Sequence, residues 1–251
     1  MSSLRRMLTV LDLFTEAAPA WTAEAIAEKL AYTRPTAYRY VRELAAAGLL
    51  RRGSGGTYWL GTRIIELDHQ IRLTDPLLLA GSAPMRALAD LTGCDVVLGS
   101  IYGDRILTVH QEHGLEGISA TYGRGRSMPL YRGMLSKMLL ASVTRAQLRR
   151  IHAAHATEAA AEAFAADWDT LLANLKSIRS AGHCISHGEL DPGLVGIAVS
   201  LSSREHETQA ALGLILTRQR FATSDVGRLL QMLRETGARI LGSLAGTPQN
   251  P

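Results

Sequence analysis

The chain has 251 residues, a formal net charge of +4, 47% hydrophobic and 20% charged residues, and two cysteines. That length admits one large domain or two modest ones with a proper core, and no stretch approaches the ~20 apolar residues of a membrane-spanning helix. Cys94 and Cys184 lie far apart with no C-x-x-C pair, which excludes zinc-ribbon and thioredoxin-type chemistry and reads as two buried thiols in a reducing cytoplasm.

Leu4, Leu8 and Leu11 with Val10, Leu13 and Phe14 form an apolar stripe that predicts one helix ending before Pro19. Asp12 interrupts the run and no small-residue cleavage site follows, so the segment reads as a helix and not a signal peptide, and a cytoplasmic protein is expected. From Thr22 to Leu60 the pattern is a short helix, a turn at Ala31-Tyr32, a second helix and a glycine-rich hairpin. Ala25, Ile26 and Leu30 set the first helix, with Thr22 as its N-cap. Thr33 can cap the second, where Pro35 in the first turn lacks an N–H that would go unused.

In that second helix Ala37, Val41 and Leu44 fall at i, i+4 and i+7 and face inward. The opposite face presents Arg34, Thr36, Tyr38, Arg39 and Arg42. Arginine reads guanine edges bidentately or clamps phosphates, and Thr and Tyr hydroxyls reach phosphate oxygens. Leu49 to Arg52 and Thr57 to Leu60 read as two strands around Gly53-Ser54-Gly55-Gly56, a wing with a basic tip. Residues 1–65 hold nine of the 27 Lys and Arg and five of the 23 Asp and Glu, so the whole excess of +4 sits there. Such a footprint is that of a duplex-DNA reader joined to a neutral partner domain. The expected DNA contacts are Thr33, Arg34, Thr36, Tyr38, Arg39 and Arg42, with Arg51 and Arg52 on the wing.

Gly61 to Leu73 is helical by period, with Ile64, Ile65, Leu67 and Ile71 apolar. It is too short for its own core, so its stripe is expected to meet another subunit or the next domain. Asp75-Pro76 breaks it. The expected organisation is a winged helix-turn-helix over 1–62, a linker helix over 63–75 and a second domain over 76–246.

In the second domain the predicted elements are a helix from Leu77 to Thr92, then a hairpin of Asp95–Ile101 and Arg105–Gln111. A third strand is expected near Gly117 to Tyr122. Gly123-Arg124-Gly125-Arg126 has a G-x-G flavour, but no helix opens at it, so it reads as a turn rather than a phosphate loop. Helices are expected at 133–141, 145–154 and 158–180, strands at 183–186, 195–202 and 209–217, and a helix at 224–244. This order implies an α+β domain on one mostly antiparallel sheet whose concave face would seat a small ligand.

His183, Cys184, His187, Glu189 and Asp191 form the densest set of possible metal ligands. In a strand the two histidines of H-x-x-x-H would stand ~13 Å apart, so the segment reads as polar loop residues lining a ligand pocket, with no metal or cofactor expected. Ser136-Lys137 and Cys184-His187 are the tempting nucleophile pairs, yet neither a G-x-S-x-G elbow nor a papain-type cysteine context is present. An enzyme is not expected. A metal-sensing regulator, or a metal- or thiol-dependent enzyme with a DNA-binding arm, stand as the alternatives.

With those residues in view, the chain resembles the IclR family of bacterial transcriptional regulators. The likeness is carried by Ser3-Leu4-Arg5-Arg6, the helix-turn-helix, Tyr58-Trp59-Leu60-Gly61, Pro129-Leu130, Ser136-Lys137, His187-Gly188-Glu189, and Asp191-Pro192-Gly193-Leu194-Val195-Gly196-Ile197-Ala198. The resemblance implies a GAF-like effector domain, a homodimer or tetramer on a palindromic operator, and repression relieved or altered by a small molecule. It places the effector pocket at Gly117, Ala120, Met128, Met134, Leu135, Ser186, Leu194, Gly196, Gly213 and Ile215. Two departures stand out: Ala31 replaces a usual glycine in the turn, and Tyr131-Arg132-Gly133 replaces small residues. Arg132 would bring a cation to a carboxylate-bearing ligand, with Tyr131 stacking or hydrogen-bonding, or else Arg132 bridges to Glu189 or Asp191.

Overall fold

The computed structural model describes residues 2–115, 118, 121, 123–203 and 208–245. The chain divides into two compact units, Met1–Asp75 and Pro76–Pro251. In the first, the elements are α1 (Ser3–Leu8), β1 (Trp21–Thr22), α2 (Ala23–Lys29), α3 (Arg34–Ala46), β2 (Leu50–Arg52), β3 (Thr57–Leu60) and α4 (Arg63–Thr74). Ile26, Ala37, Val41, Leu44 and Leu50 make its core, all at most 2% exposed. β3 lies between β1 and β2, with Arg51 opposite Trp59 and Trp21 opposite Tyr58.

One expectation for this unit needs correcting. The first helix stops at Leu8 and the chain resumes as a 3-10 turn over Leu11–Leu13. Thr9 turns its hydroxyl back to the Arg6 carbonyl at 2.8 Å, and the Trp21 indole N–H donates to the Leu13 carbonyl at 2.9 Å. That kink buries Val10 fully and leaves Leu4 and Leu8 at 71% and 50% exposure, so the stripe does not act as one face. The two-residue strand β1 was not foreseen. Linker helix α4 buries no residue, and Ile65, Leu67, Ile71 and Leu73 stand exposed.

The second unit contains α5 (Pro76–Thr92), β4 (Asp95–Tyr102), β5 (Arg105–Glu112), β6 (Ser127–Met128), α6 (Met134–Ser142), α7 (Arg145–Ala154), α8 (Ala156–Ala160), α9 (Trp168–Ala181), β7 (Cys184–His187), β8 (Leu194–Ser203), β9 (Thr208–Thr217), α10 (Arg218–Thr223) and α11 (Val226–Ala245). Among the described residues it holds one antiparallel sheet in the order β6-β5-β4-β9-β8-β7. The α+β architecture is as expected. The strand proposed near Gly117–Tyr122 falls largely outside the described residues.

Strand alternation decides how this sheet is covered. On one face Val96, Leu98, Val195, Ile197, Val199, Leu212 and Leu214 meet α5 and α11. The other face carries Ala198 and Ala211, with glycines at 99, 196 and 213, and meets α6 and α9. Branched residues therefore build one core layer, and small residues let a helix close tightly on the other.

The helix expected over 158–180 is broken. His155 leaves helical geometry, a 3-10 turn occupies Ala163–Ala165, and Asp167 opens α9 by accepting the Thr170 N–H at 2.7 Å. An alanine-rich run has helix propensity but no apolar period to hold it on one line. β6 and α10 were likewise not anticipated.

Candidate functional site

α3 begins with Thr33 in extended geometry, Arg34 at the first helical position and Pro35 next. Thr33 does not cap a backbone N–H; its hydroxyl meets that of Thr36 at 2.8 Å. Ala37, Tyr40, Val41 and Leu44 are buried, which turns Arg34, Tyr38, Arg39 and Arg42 to solvent. Thr33 is exposed and Thr36 half-buried. Arg42 is 77% exposed and its guanidinium stands 3.6 Å from Glu43, a surface pair that leaves it available. Arg39 lies with its guanidinium 5.4 Å from the Tyr40 ring centroid.

Tyr38 behaves differently from the arginines. Its phenol donates to the Glu24 carboxylate on α2, an interaction that raises the phenol above its ordinary pKa and lowers the carboxyl. On the wing, Arg51 and Arg52 are both exposed, but neighbouring strand residues point to opposite faces. Arg51 lies over the Trp59 ring at 5.4 Å, so the wing offers one cation on each face. The helix–turn before α3 is tight: Ala31 has φ +52, the one non-glycine residue with positive φ among the described residues.

In the second unit a cavity of about 50 Å³ lies between the small-residue face of the sheet and the start of α6. Met128, Met134, Leu135, Ser186, Leu194, Gly196 and Ile215, each expected at the pocket, line it. Gly117 and Ala120 lie outside the described residues. Gly213 does not reach the wall, because Met134 covers it: a Cβ there would stand 2.7 Å from the Met134 methyl carbon. Glu189 and Asp191, read from the sequence as polar loop residues, do line the cavity; Val97, Thr108 and Leu190 were not foreseen. The alternation of β4 and β5 could have found Val97 and Thr108.

Tyr131 and Arg132 do not line the cavity, which corrects the expectation of a pocket cation and stacking phenol. Tyr131 is fully buried, 3.4 Å from His152 Nδ1 through its hydroxyl, and burial with the nearby Glu158 charge pushes its pKa up to about 12. Arg132 donates to the Glu189 backbone carbonyl and sits 3.8 Å from the Glu162 carboxylate. Neither carboxylate anticipated for it, Glu189 or Asp191, is its partner. The Glu189 carboxylate accepts from Lys137 Nζ at 2.6 Å and from the Gly133 N–H at 2.8 Å. That of Asp191 accepts from the Thr121 N–H at 3.1 Å and from its hydroxyl. A loop residue's side-chain direction is not readable from spacing, and that is why Arg132 was misplaced.

The metal-ligand set does not converge either. Among the described residues no three of His, Cys, Asp and Glu surround a point where an ion could sit. The His187 ring packs edge-on to Phe221 at 5.2 Å, and His183 Nδ1 lies 2.9 Å from the Ala181 carbonyl. Burial pushes the Cys184 thiol up to about 12, so it is no nucleophile at neutral pH.

The arrangement is thus a helix with an exposed cationic face in one unit and a small, mainly apolar cavity in the other. Residues 76–241 match the family model described as "Bacterial transcriptional regulator IclR C-terminal", and residues 3–54 match the "IclR helix-turn-helix domain". The chain is 24% identical over 252 residues to the HTH-type transcriptional regulator KdgR of Escherichia coli strain K12, covering 100% of this chain and 95% of that protein. It shares its fold, with a TM-score of 0.82 and 19% identity, with a solved IclR-type regulator of Silicibacter sp. TM1040, over 99% of this chain and 98% of that one. A solved IclR homologue of Microbacterium hydrocarbonoxydans in complex with 4-hydroxybenzoate gives a TM-score of 0.72 at 22% identity, over 98% of this chain and 100% of that one.

Proposed function

The chain belongs to the IclR family of bacterial transcriptional regulators, and on that footing we propose that it is a repressor whose hold on a palindromic operator is changed by a small metabolite. It is a regulator with a helix-turn-helix and a ligand-binding domain, not an enzyme. The observation that carries the DNA-binding assignment is the outward face of α3. Arg34, Arg39 and Arg42 are all exposed while the opposite face is sealed into the core. Arg34 and Thr33 begin the helix, where base-edge contacts of a recognition helix concentrate, and Arg39, Arg42 and a wing arginine serve phosphates. Tyr38, held by Glu24, contributes as an orienting residue unless duplex binding frees its hydroxyl.

A homodimer or tetramer is the assembly we assign. The apolar residues Ile65, Ile71 and Leu73 of α4 support it, since all three are exposed. Two half-sites spaced ~34 Å apart on one duplex face would then be read together. Effector binding shifts the population between two arrangements of the dimer and so alters half-site spacing. Because it acts on chromosomal DNA, the cytoplasm is its place; no helix among the described residues is long and apolar enough to cross a membrane.

For the effector, a carboxylate-bearing molecule remains our assignment, now supported by the relative bound to 4-hydroxybenzoate rather than by Arg132. Glu189, which lines the cavity, holds Lys137 and the Gly133 N–H, and an acid that displaced its carboxylate would meet both donors. The test is a footprint on DNA upstream of the protein's own gene, repeated with a panel of aromatic and aliphatic carboxylates. Two protected half-sites one or two helical turns apart, lost or shifted with one of the acids, are expected. Uniform protection that no acid changes would overturn the effector part, and no protection would overturn the operator part.

A further inference from the structure

The cavity beside α6 is too small for any metabolite as it stands. At about 50 Å³ it holds a few waters, whereas an apolar cavity that takes up a single six-membered ring has roughly 150 Å³. Something in its wall has to move, and the glycines of the sheet say what.

Gly196 on β8 and Gly213 on β9 stand on the same face, since Gly196 pairs with Ile215 and Gly213 with Ala198. A Cβ at Gly196 would stand 2.6 Å from Met134 Cγ, 3.1 Å from its Cε and 3.2 Å from its Sδ. A Cβ at Gly213 would stand 2.7 Å from Cε and 3.2 Å from Sδ. The end of the Met134 side chain therefore lies flat on bare backbone of two adjacent strands. Those three atoms border the cavity, so their departure enlarges it along the strip of bare backbone. An unbranched thioether with three rotatable bonds can leave such a place without dragging the backbone; Leu135, branched and packed on Gly99, is less free to do so.

We propose that Met134 is the size gate of this cavity: a flat single-ring ligand enters by displacing the thioether and lies on the strip of backbone at Gly196 and Gly213. The proposal rests on reading the cavity as the effector site. The glycines select for planarity, because only a flat group can use the space that the absent Cβ atoms leave. Met134 selects for size, because a molecule smaller than the displaced atoms gains no contact to replace theirs.

The test uses the full-length protein and fluorobenzene, followed by fluorine NMR, in wild type, Met134→Ala and Met128→Ala. Met128→Ala removes the same atoms from the same cavity, but on β6. Circular dichroism and thermal melting establish that each variant folds, and Met134→Val serves as a milder truncation if Met134→Ala does not. The expected result is at least tenfold tighter binding in Met134→Ala than in wild type, with Met128→Ala close to wild type. Equal binding by all three, no binding to Met134→Ala or Met134→Val, or an equal gain in Met128→Ala would each overturn the gate. Operator affinity measured on the same samples keeps the readings apart: a ring that binds Met134→Ala without altering DNA affinity removes the effector assignment and leaves the gate standing.

Discussion

Lys137 places its ammonium 2.6 Å from the Glu189 carboxylate, and that carboxylate also takes the Gly133 N–H at the start of α6. The pair is mostly shielded, with side chains 13% and 28% exposed. It ties the loop after β7 to the helix that carries Met134. Because Lys137 would be left with a poor partner, Glu189→Gln should destabilise the second unit by about 1–2 kcal/mol, less than a fully buried pair would lose. Urea unfolding measures it. A change below a few tenths of a kcal/mol would mean that the pair only decorates the surface.

Arg132→Ala should do little. Its side chain is 44% exposed and its contacts are one backbone carbonyl and a distant carboxylate. A stability loss of at most about 1 kcal/mol is expected, and the affinity for any effector found in the footprint panel should stay within about twofold. Calorimetric titration of that acid checks it; a loss of tenfold or more would restore Arg132 to the pocket.

Ala31 carries a strain that glycine would relieve. At φ +52 the Cβ crowds the backbone, at a cost of roughly 1–2 kcal/mol, against which glycine's greater freedom in the unfolded chain subtracts about 0.5–1. Ala31→Gly should therefore stabilise the first unit by about 0.5–1 kcal/mol. A thermal melt of the 1–75 unit within the full chain reads this, and a lowered transition would contradict it.

These cases mark where the sequence is informative and where it is silent. The recognition helix was legible because Ala37, Val41 and Leu44 repeat at helical period and leave the arginines on the other side. The α4–α5 break was legible at Pro76, and the long helix end at Gly182, which adopts φ +67. The break at His155–Asp167 was not, since alanines carry no facing information. Two-residue strands such as β1 and β6 are fixed by their partners rather than by their own residues. The role of Gly196 and Gly213 was equally hidden: nothing in the sequence says that Met134, about sixty and eighty residues away from them, lies on both.

Alkaline conditions should weaken the second unit in two steps. Cys184 has its thiol raised from 9.0 to about 12, chiefly by burial, with Lys137 opposing and Glu189 adding. Tyr131 is raised from 10.0 to about 12, by burial and then Glu158. The unfolded chain gives up these protons first, so stability is complete below about pH 9 and falls as pH rises from 9 towards 12. Urea midpoints across that window should drop, and Cys184→Ala should flatten the part that begins near 9. At pH 8 the folded thiol should resist iodoacetamide, being only 5% exposed; rapid labelling would contradict its burial.

The exposed cationic face of α3 is tested most directly by a fluorescence-anisotropy titration of labelled operator DNA over a range of salt, comparing wild type with Arg39→Ala. The footprinted sequence supplies the operator, and a scrambled duplex the reference. Loss of specific binding is expected, together with a shallower dependence of log affinity on log salt, by about one unit of slope. The circular dichroism spectrum and oligomeric state should be unaltered. Operator affinity and salt slope equal to wild type in Arg39→Ala, and again in Arg34→Ala and Arg42→Ala, would show that the duplex is held elsewhere.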